Sequence, residues 1–300
     1  MSPTREASAG ATQLHRAMPL APTWASRYPP VVIVCLAFLA LVILAALFTE
    51  ALAPYHYTTQ DLVNRLKPPA FMGGLSKYPL GTDELGRDLL SRLLYATRFS
   101  VVIALVGTAL AAVIGTFIGF VAAHFRGLVE ETIMMLVDVQ ASLPFMIVAL
   151  FVLGFFGNSF TLFVIIMGIH GWETYARLTR GMVISTTTHG YAVAVRALGA
   201  RPGRIYLRHI LPNILSVLIV QFTLNFPITI LLETSLSFLG LGIQPPLTSL
   251  GQMLGAGRSY LISAWWIAIL PGTMIFLTTL AISILGDWLR DRLDPTLRGR

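Results

Sequence analysis

Long runs of apolar side chains alternate with shorter polar segments along the chain. Four of these runs are candidate membrane spans: Val31–Phe48, Val101–Ala123, Ile214–Leu232 and Leu261–Leu285. A bilayer core of roughly 30 Å needs about 20 apolar residues per helix. Because the backbone inside lipid must satisfy its own hydrogen bonds, such segments form helices rather than open strands. The pattern therefore predicts an all-α, polytopic membrane protein.

The middle of the chain is less regular. The uncharged stretch Leu143–Gly171 is too long for one untilted crossing, and it is short for two crossings with generous loops. Gly157-Asn158-Ser159 supplies turn residues at its centre, which predicts a tight hairpin. Extending the two helices through Ile133–Leu143 and Trp172–Arg180 gives six spans with both termini on the same side. A single tilted span, with the termini on opposite sides, is the alternative.

Charge distribution predicts which side that is. Of the 21 Lys and Arg residues, 14 fall in segments that the six-span arrangement places on the side of the N-terminus, and 7 fall on the other side. Basic residues accumulate on the cytoplasmic side of membrane proteins. Both termini are thus predicted to be cytoplasmic. Topology also accounts for the net charge of +7, without nucleic acid as a partner.

These observations predict a domain organisation. The parts are a disordered cytoplasmic tail (1–30), a first membrane span (31–53), an extracytoplasmic loop with a short helix (54–98), a five-span core (99–287) that includes a cytoplasmic loop (181–212), and a cytoplasmic tail (288–300). Ala51-Leu52-Ala53 resembles a signal-peptidase site. However, the preceding apolar run is longer than a signal peptide needs, so an uncleaved anchor is expected.

The extracytoplasmic loop contains a helix-start pattern. Thr82-Asp83-Glu84-Leu85 offers a hydroxyl cap followed by early acidic residues, which predicts a helix from there to about Arg98. Leu89, Leu93 and Ala96 would form its apolar side. Docking of a receptor and plain structural support are both compatible with this loop.

The segment Tyr191–Asn213 is unusually basic. It carries four arginines and no acidic residue. Gly199 is expected to end one short helix, and a second is expected to begin at Arg204 and to be perturbed by Pro212. A short helix of this kind can dock in a groove of a soluble partner. A basic loop that follows the positive-inside rule or contacts anionic lipid is the alternative.

This segment resembles the cytoplasmic coupling loop of ABC-importer permeases. That family pattern is Glu-Ala-Ala, three residues, Gly, nine residues, then Ile-x-Leu-Pro. Gly199, Leu211 and Pro212 match it at the right spacing, whereas Val193 replaces the glutamate and His209 replaces the isoleucine. The resemblance assigns contact with the ATPase to Tyr191, Ala194, Arg196, Ala197, Leu198, Gly199, Arg204, Leu211 and Pro212.

From Val31 onward the chain resembles the second permease of the dipeptide, oligopeptide and nickel branch. The matching stretches are Gly81–Ser100, Asp138 with Pro144, Trp172–Gly181, Leu236–Pro246 and Gly286–Arg298. Leu250 and Met135 depart from the branch, which has tryptophan and arginine there. The resemblance implies a homologous permease subunit, two ATP-binding subunits or domains and an extracytoplasmic solute-binding protein as partners, in the bacterial inner membrane. Peptide is the expected cargo, and nickel or another small solute is the alternative.

Sites for nucleotide, metal and catalysis are not expected in this chain. Neither Lys67 nor Lys77 follows a glycine, so the Gly-Lys-Ser/Thr of a phosphate-binding loop is missing. The six histidines are scattered, and the single cysteine, Cys35, lies in the first apolar run. No cofactor is expected, and hydrolysis of ATP is assigned to partner subunits. A secondary transporter driven by an ion gradient is the alternative from another class.

Polar residues within the spans are candidates for the translocation path. Asp138 and Gln140 precede Pro144, which is expected to kink the third span. Gln221, Asn225 and Thr229 recur at i, i+4 and i+8 and share one helical face. These side chains either line a solvated path or hydrogen-bond between helices.

Glu233 and the glycine pair Gly115 and Gly119 are two further features of the predicted spans. Glu233 is predicted at the outer end of the fifth span, where it would meet a cationic peptide terminus or reach the headgroups. Gly115 and Gly119 form a pair of small residues that permits close approach of two helices, within this chain or against a partner.

Overall fold

The computed structural model describes residues 29–187 and 202–293. Its helices are α1 (Pro30–Leu47), α2 (Thr49–Leu52), α3 (Leu89–Phe125), α4 (Gly127–Ser142), α5 (Phe145–Phe156), α6 (Phe160–Ile169), α7 (Trp172–Thr187), α8 (Pro202–Ile205), α9 (Leu211–Phe238), α10 (Leu250–Gly257) and α11 (Trp266–Leu293). A π-helical turn, Tyr206–Ile210, joins α8 to α9. The described residues form no β-strand, which confirms the all-α prediction for that part of the chain.

Four helical segments of the described chain are long and apolar enough to cross a membrane: Pro30–Leu47, Leu89–Phe125, Gly203–Phe238 and Trp266–Leu293. A fifth candidate is the pair α4 and α5, whose axes are bent by 86°. The membrane character is therefore confirmed, with four or five candidate spans. The six-span arrangement stays a prediction.

The hairpin turn in the middle of the chain is where the sequence predicts it. α5 ends at Phe156 and α6 begins at Phe160. Gly157 has φ 84°, a left-handed conformation that favours glycine, and the Ser159 hydroxyl accepts a hydrogen bond of 3.2 Å from the backbone N–H of Leu162. Turn residues that act locally thus determine this reversal.

The two helices of the hairpin are not continuous with their predicted extensions. α4 ends at Ser142, because proline restricts the residue before it to extended backbone and Leu143 accordingly has ψ 130°. On the other side, α6 ends at Ile169 and Gly171 has φ 85°. The expected kink at Pro144 is thus present as a break between α4 and α5, and a second break at His170 and Gly171 separates α6 from α7.

The predicted helix start at Thr82 is also wrong, since α3 begins at Leu89. The Asp88 carboxylate caps α3 by accepting a hydrogen bond of 2.8 Å from the backbone N–H of Ser91. Residues 82–88 instead form a turn in which the Asp83 carboxylate accepts hydrogen bonds from the backbone of Leu85 and Arg87. Because α3 continues to Phe125, the predicted boundary between residues 98 and 99 lies inside one helix of 37 residues.

Helix α3 is the central element of the fold. It contacts α1, α6, α7 and α9. Leu89 and Ala96 are fully buried in one hydrophobic cluster, and Leu93 packs against it, which confirms their predicted shared side. Contacts of α3 thus extend from the cluster around Leu89 at its start to the helices that pack along the rest of its length.

Candidate functional site

The predicted ATPase-coupling residues fall largely outside the described part of the chain. Tyr191, Ala194, Arg196, Ala197, Leu198 and Gly199 lie between the described ranges 29–187 and 202–293. The remaining three follow that gap: Arg204 is exposed in α8, Leu211 is half-buried at the start of α9, and Pro212 is exposed. The expected second helix is present, and it begins at Pro202.

The two ends of this segment rest on one hydrophobic cluster. Val183 near the end of α7 is buried together with Ile205, Ile210 and Ile214, and Ala111 of α3 belongs to the same cluster. Each of these side chains is at most 4% exposed. The described residues before and after the gap 188–201 thus pack in the same cluster as α3.

A π-helical turn connects this cluster to the end of α3. The Tyr206 hydroxyl lies 3.0 Å from Nδ1 of His124, and the Tyr206 ring packs on Phe120 with ring centroids 5.5 Å apart. π-Helical turns are rare and occur frequently at functional sites. Arg208 in this turn is exposed and belongs to the predicted coupling segment.

Close packing joins α3 to α7. A Cβ added at Gly115 would lie 2.2 Å from the Trp172 carbonyl oxygen, and one at Gly119 would lie 2.6 Å from that of Ala176. Small residues at this spacing allow two backbones to approach closely. The predicted packing role of the glycine pair is thus confirmed, and it operates within this chain.

Two ion pairs join α4 to α7. Arg180 Nε donates a hydrogen bond of 2.6 Å to the Glu130 carboxylate, and Arg177 Nη2 lies 2.9 Å from the Asp138 carboxylate. The Asp138 side chain is 70% exposed, and Gln140 is half-buried on the same helix. Asp138 also lines a concave surface of about 610 Å³ together with Met134, Met135, Val139, Ser142 and others of α4.

The polar face of α9 lies partly inside the helix bundle. Gln221 is half-buried, but Asn225 is 6% exposed and Thr229 is fully buried. The hydroxyls of Thr229 and Thr108 in α3 are 3.1 Å apart, and Asn225 lies against Gly171. Thr229 thus takes part in an interhelical hydrogen bond and Asn225 packs against Gly171, whereas Asp138 is exposed and Gln140 and Gln221 are half-buried.

The carboxylate of Glu233 is fully buried, so it does not reach the headgroups as one interpretation expected. It accepts hydrogen bonds from the hydroxyl groups of Ser100 at 3.0 Å and Ser237 at 2.7 Å. Ser100 in turn accepts a hydrogen bond of 3.2 Å from the backbone N–H of Leu250. This cluster ties α3, α9 and the start of α10 together. No local sequence pattern indicates the contacts of Ser100 and Leu250 in this cluster.

A second buried polar cluster fixes the loop before α3. The fully buried Asp83 carboxylate pairs with Arg87 and with Arg92, and Arg92 Nη2 lies 3.4 Å from the Thr248 hydroxyl. Trp266 Nε1 donates a hydrogen bond of 3.3 Å to the Thr82 carbonyl. The turn 82–88 thus connects α3, the segment before α10 and α11, which favours structural support for this part of the loop.

Within residues 29–187 and 202–293, no group of three His, Cys, Asp or Glu side chains is arranged to hold a metal ion. The Asp61 carboxylate in the outer loop instead has hydroxyl and amide partners. Hydrogen bonds from the side chains of Asn64 and Tyr78 hold its pKa below the usual range.

Comparison with protein families gives two matches along the chain. Residues 115–299 match the family described as "binding-protein-dependent transport system inner membrane component". Residues 29–69 match the "N-terminal TM domain of oligopeptide transport permease C". The matching stretches Asp138 with Pro144, Trp172–Gly181, Leu236–Pro246 and Gly286–Arg298 lie within the first match, and Gly81–Ser100 lies between the two.

Individual relatives agree over most of the chain. The di/tripeptide transport system permease protein DppC of Pseudomonas aeruginosa is 40% identical over 264 residues, covering 88% of this chain and 87% of that protein. The dipeptide transport system permease protein DppC of Escherichia coli is 39% identical, covering 89% of each. The oligopeptide transport system permease protein OppC of Bacillus subtilis is 33% identical, covering 88% of this chain and 85% of that protein.

A solved structure shares the fold. One chain from the inward-facing conformations of the MetNI methionine ABC transporter aligns with a TM-score of 0.57, covering 69% of this chain and 98% of that chain. The sequences are 18% identical, so the likeness concerns the fold alone.

Proposed function

Because the chain belongs to the family of binding-protein-dependent transport system inner membrane components, we propose that it is one permease subunit of an ATP-driven peptide importer. The observation that carries this proposal is the continuous match, over 88% of the chain, to a permease subunit named for di- and tripeptides. Substrate would cross a path formed with a second, homologous permease subunit. Nickel or another small solute is the alternative cargo of the same branch.

Two ATP-binding subunits or domains and an extracytoplasmic solute-binding protein complete the proposed assembly. The segment Tyr191–Pro212 would contact the ATPases. Its four arginines give it a basic surface, and the exposure of Arg204 and Arg208 supports a contact with another subunit. ATP would be bound and hydrolysed by those partners, and this subunit would need no cofactor of its own.

We propose six spans with both termini in the cytoplasm. The separate helices α5 and α6 have 12 and 10 residues, about 18 and 15 Å at 1.5 Å per residue, and neither crosses a core of roughly 30 Å alone. If the bent pair α4 and α5 counts as one span and α6 with α7 as another, these two and the four long helices make six. The domain organisation 1–30, 31–53, 54–98, 99–287 and 288–300 follows from that arrangement, with the outer loop leading into α3.

The proposed path includes accessible polar residues of α4 and α9. An ionisable side chain at membrane depth faces water, a partner or a protein interior rather than lipid. The exposure of Asp138 therefore supports an aqueous surface or a subunit contact beside α4. Gln140 and Gln221 are half-buried and would border this surface, and the buried Asn225 and Thr229 would contribute by positioning helices.

Uptake in cells tests this function. A strain that lacks this subunit but expresses its partners is expected to lose import of labelled di- and oligopeptides, and the restored gene is expected to recover it. Equal uptake with and without the subunit would contradict a peptide cargo. Nickel uptake measured in the same strains would then identify the alternative.

A further inference from the structure

Helix α4 is held to the rest of this chain by few apolar contacts. Of its 16 residues, Val137 is the one that is buried. At its end, α5 departs at an angle of 86° across the break at Leu143 and Pro144. An amphipathic helix of a folded domain normally buries a whole apolar stripe. Polar contacts must therefore contribute more than usual to the position of α4.

Those contacts are the two ion pairs with α7. Glu130 is 15% exposed and receives both Nε and Nη2 of Arg180, whereas the pair of Asp138 with Arg177 is open to its surroundings. As the residue number rises from 130 to 138 along α4, it falls from 180 to 177 along α7. The partners on α7 are three positions apart and those on α4 are eight positions apart, so the two pairs hold α4 at two points about two turns from each other.

Helix α7 leads directly into the predicted coupling segment. It ends at Thr187, four residues before Tyr191. The pairs therefore connect the element that precedes the ATPase contact with the helix that carries Asp138 and ends at the bend. Two stretches of the motif resemblance, Asp138 with Pro144 and Trp172–Gly181, thus contact each other in the fold.

We propose that the pairs Glu130–Arg180 and Asp138–Arg177 form a clamp that transmits movement of the coupling segment, through α7, to α4 and the path surface beside it. The inference rests on the proposed function, because a coupling movement requires the ATPase partners. The four side chains are positioning residues, since they hold α4 in register with α7 without binding nucleotide.

An electrostatic clamp suits this position for a physical reason. In the Glu130–Arg180 pair, Nε and Nη2 of the guanidinium lie against one carboxylate oxygen, and such a charge-assisted contact restricts both distance and orientation, so a displacement of α7 is passed on as a displacement of α4. An apolar contact with Val137 alone would let the helices slide. α3, by contrast, is joined to α7 by the close packing at Gly115 and Gly119 and would move with it in any case.

Charge exchange tests the clamp in the assembled transporter. Glu130→Arg and Arg180→Glu are each expected to lower ATP-dependent peptide uptake by about fivefold or more, and the exchanged double variant is expected to return to within about twofold of the wild type. Basal ATP hydrolysis by the complex should stay nearly unchanged in all three. The decisive quantity is the amount of peptide taken up per ATP hydrolysed. If the four residues were needed only for assembly, the variants would contain less complex, and peptide uptake and ATP hydrolysis would fall together.

Asp291→Arg is the matched control. It makes the same charge change at an exposed position near the end of α11 and is expected to leave uptake per ATP unchanged. Single variants that transport as well as the wild type would overturn the proposal. So would single variants with a defect that the exchanged pair fails to rescue while the complex assembles.

Shape-preserving variants cover the case in which charge reversal prevents assembly. Glu130→Gln and Asp138→Asn keep side-chain size, and together they are expected to lower uptake per ATP while the complex still forms. An unchanged ratio in this double variant would contradict the clamp. A wild-type complex with no ATP-dependent peptide uptake would instead contradict the proposed function, whatever the variants do.

Discussion

The hydroxyl group of Ser100 in α3 lies 3.0 Å from the carboxylate of Glu233 in α9, although the two residues are 133 positions apart in the chain. The same oxygen of Ser100 accepts the backbone N–H of Leu250 at the start of α10. The Ser100 hydroxyl thus satisfies two buried groups, the Glu233 carboxylate in α9 and the Leu250 N–H in α10. The contact fixes the predicted outer ends of three helices.

Ser100→Ala should therefore destabilise the protein more than loss of one hydroxyl usually does. It removes a donor from Glu233 and an acceptor from Leu250, and each buried unsatisfied group costs about 1–3 kcal/mol. Thermal unfolding of the purified complex measures the effect. Ser235→Ala is the control, since the Ser235 hydroxyl bonds only within its own helix, to the Leu231 carbonyl at 2.7 Å. Equal, small effects of both changes would contradict the importance of the buried cluster.

Gly115→Ala should force α3 and α7 apart. The added methyl group would lie 2.2 Å from the Trp172 carbonyl oxygen and 2.7 Å from Cβ of Tyr175, and both atoms belong to a packed helix. Overpacking of this kind costs about 1–3 kcal/mol. The amount of folded protein in the membrane and its unfolding temperature should both fall. In Gly181→Ala the new methyl group meets nothing within 4 Å, so this variant of α7 should match the wild type.

Loss of Arg92 should uncouple the outer loop from the membrane helices. Arg92→Leu leaves the fully buried Asp83 carboxylate with Arg87 as its remaining partner, and breaking a buried ion pair costs about 3–5 kcal/mol. Faster proteolysis of the segment 54–88 in intact complex is the expected readout. Arg65→Leu, at an exposed position of the same loop, should not change the cleavage rate.

Accessibility of single cysteines should separate the accessible polar residues from the buried ones. In a Cys35→Ala background, Gln140→Cys and Gln221→Cys are expected to react with a water-soluble thiol reagent much faster than Thr229→Cys. The reason is that the Thr229 side chain is fully buried against Thr108. Comparable labelling at all three positions would mean that water reaches the whole polar face of α9.

The coupling segment can be tested at its glycine. Gly199→Leu is expected to abolish ATP-dependent uptake while leaving membrane insertion intact, because a glycine that ends a helix commonly adopts a left-handed conformation that other residues resist. Gly203→Ala serves as the control, since it has no positive φ and open space around its Cβ position. Normal uptake by the Gly199→Leu variant would exclude the proposed role of this residue.

Local chemistry predicts part of this fold well. The turn at Gly157–Ser159 and the apolar side of α3 follow from adjacent residues, because a turn depends on backbone freedom and a helix side on spacing. Pro144 predicts a kink at this position, but it does not predict an angle as large as 86°. Proline removes a donor and restricts Leu143, whereas the angle depends on what α5 packs against.

Long-range contacts explain the expectations that were wrong. Both Thr82 and Asp88 are good helix caps, but the turn 82–88 also pairs with Arg92, which contacts Thr248, and receives a hydrogen bond from the distant Trp266. Burial of Glu233 is not evident from the sequence, because its partners are the uncharged residues Ser100 and Ser237 rather than a basic residue that would indicate an ion pair. Contacts between residues that are far apart in the chain leave no periodic pattern in a single sequence, so they cannot be predicted from it.

ATP-driven peptide accumulation by the purified assembly tests the central claim most directly. This chain, its partner permease and the ATPase subunits would be reconstituted in liposomes, with the binding protein and labelled dipeptide supplied on the extracytoplasmic side. Peptide should accumulate only when ATP is present on the ATPase side, and an imposed proton or sodium gradient should not replace ATP. Accumulation driven by an ion gradient without ATP would contradict the importer and favour a secondary transporter.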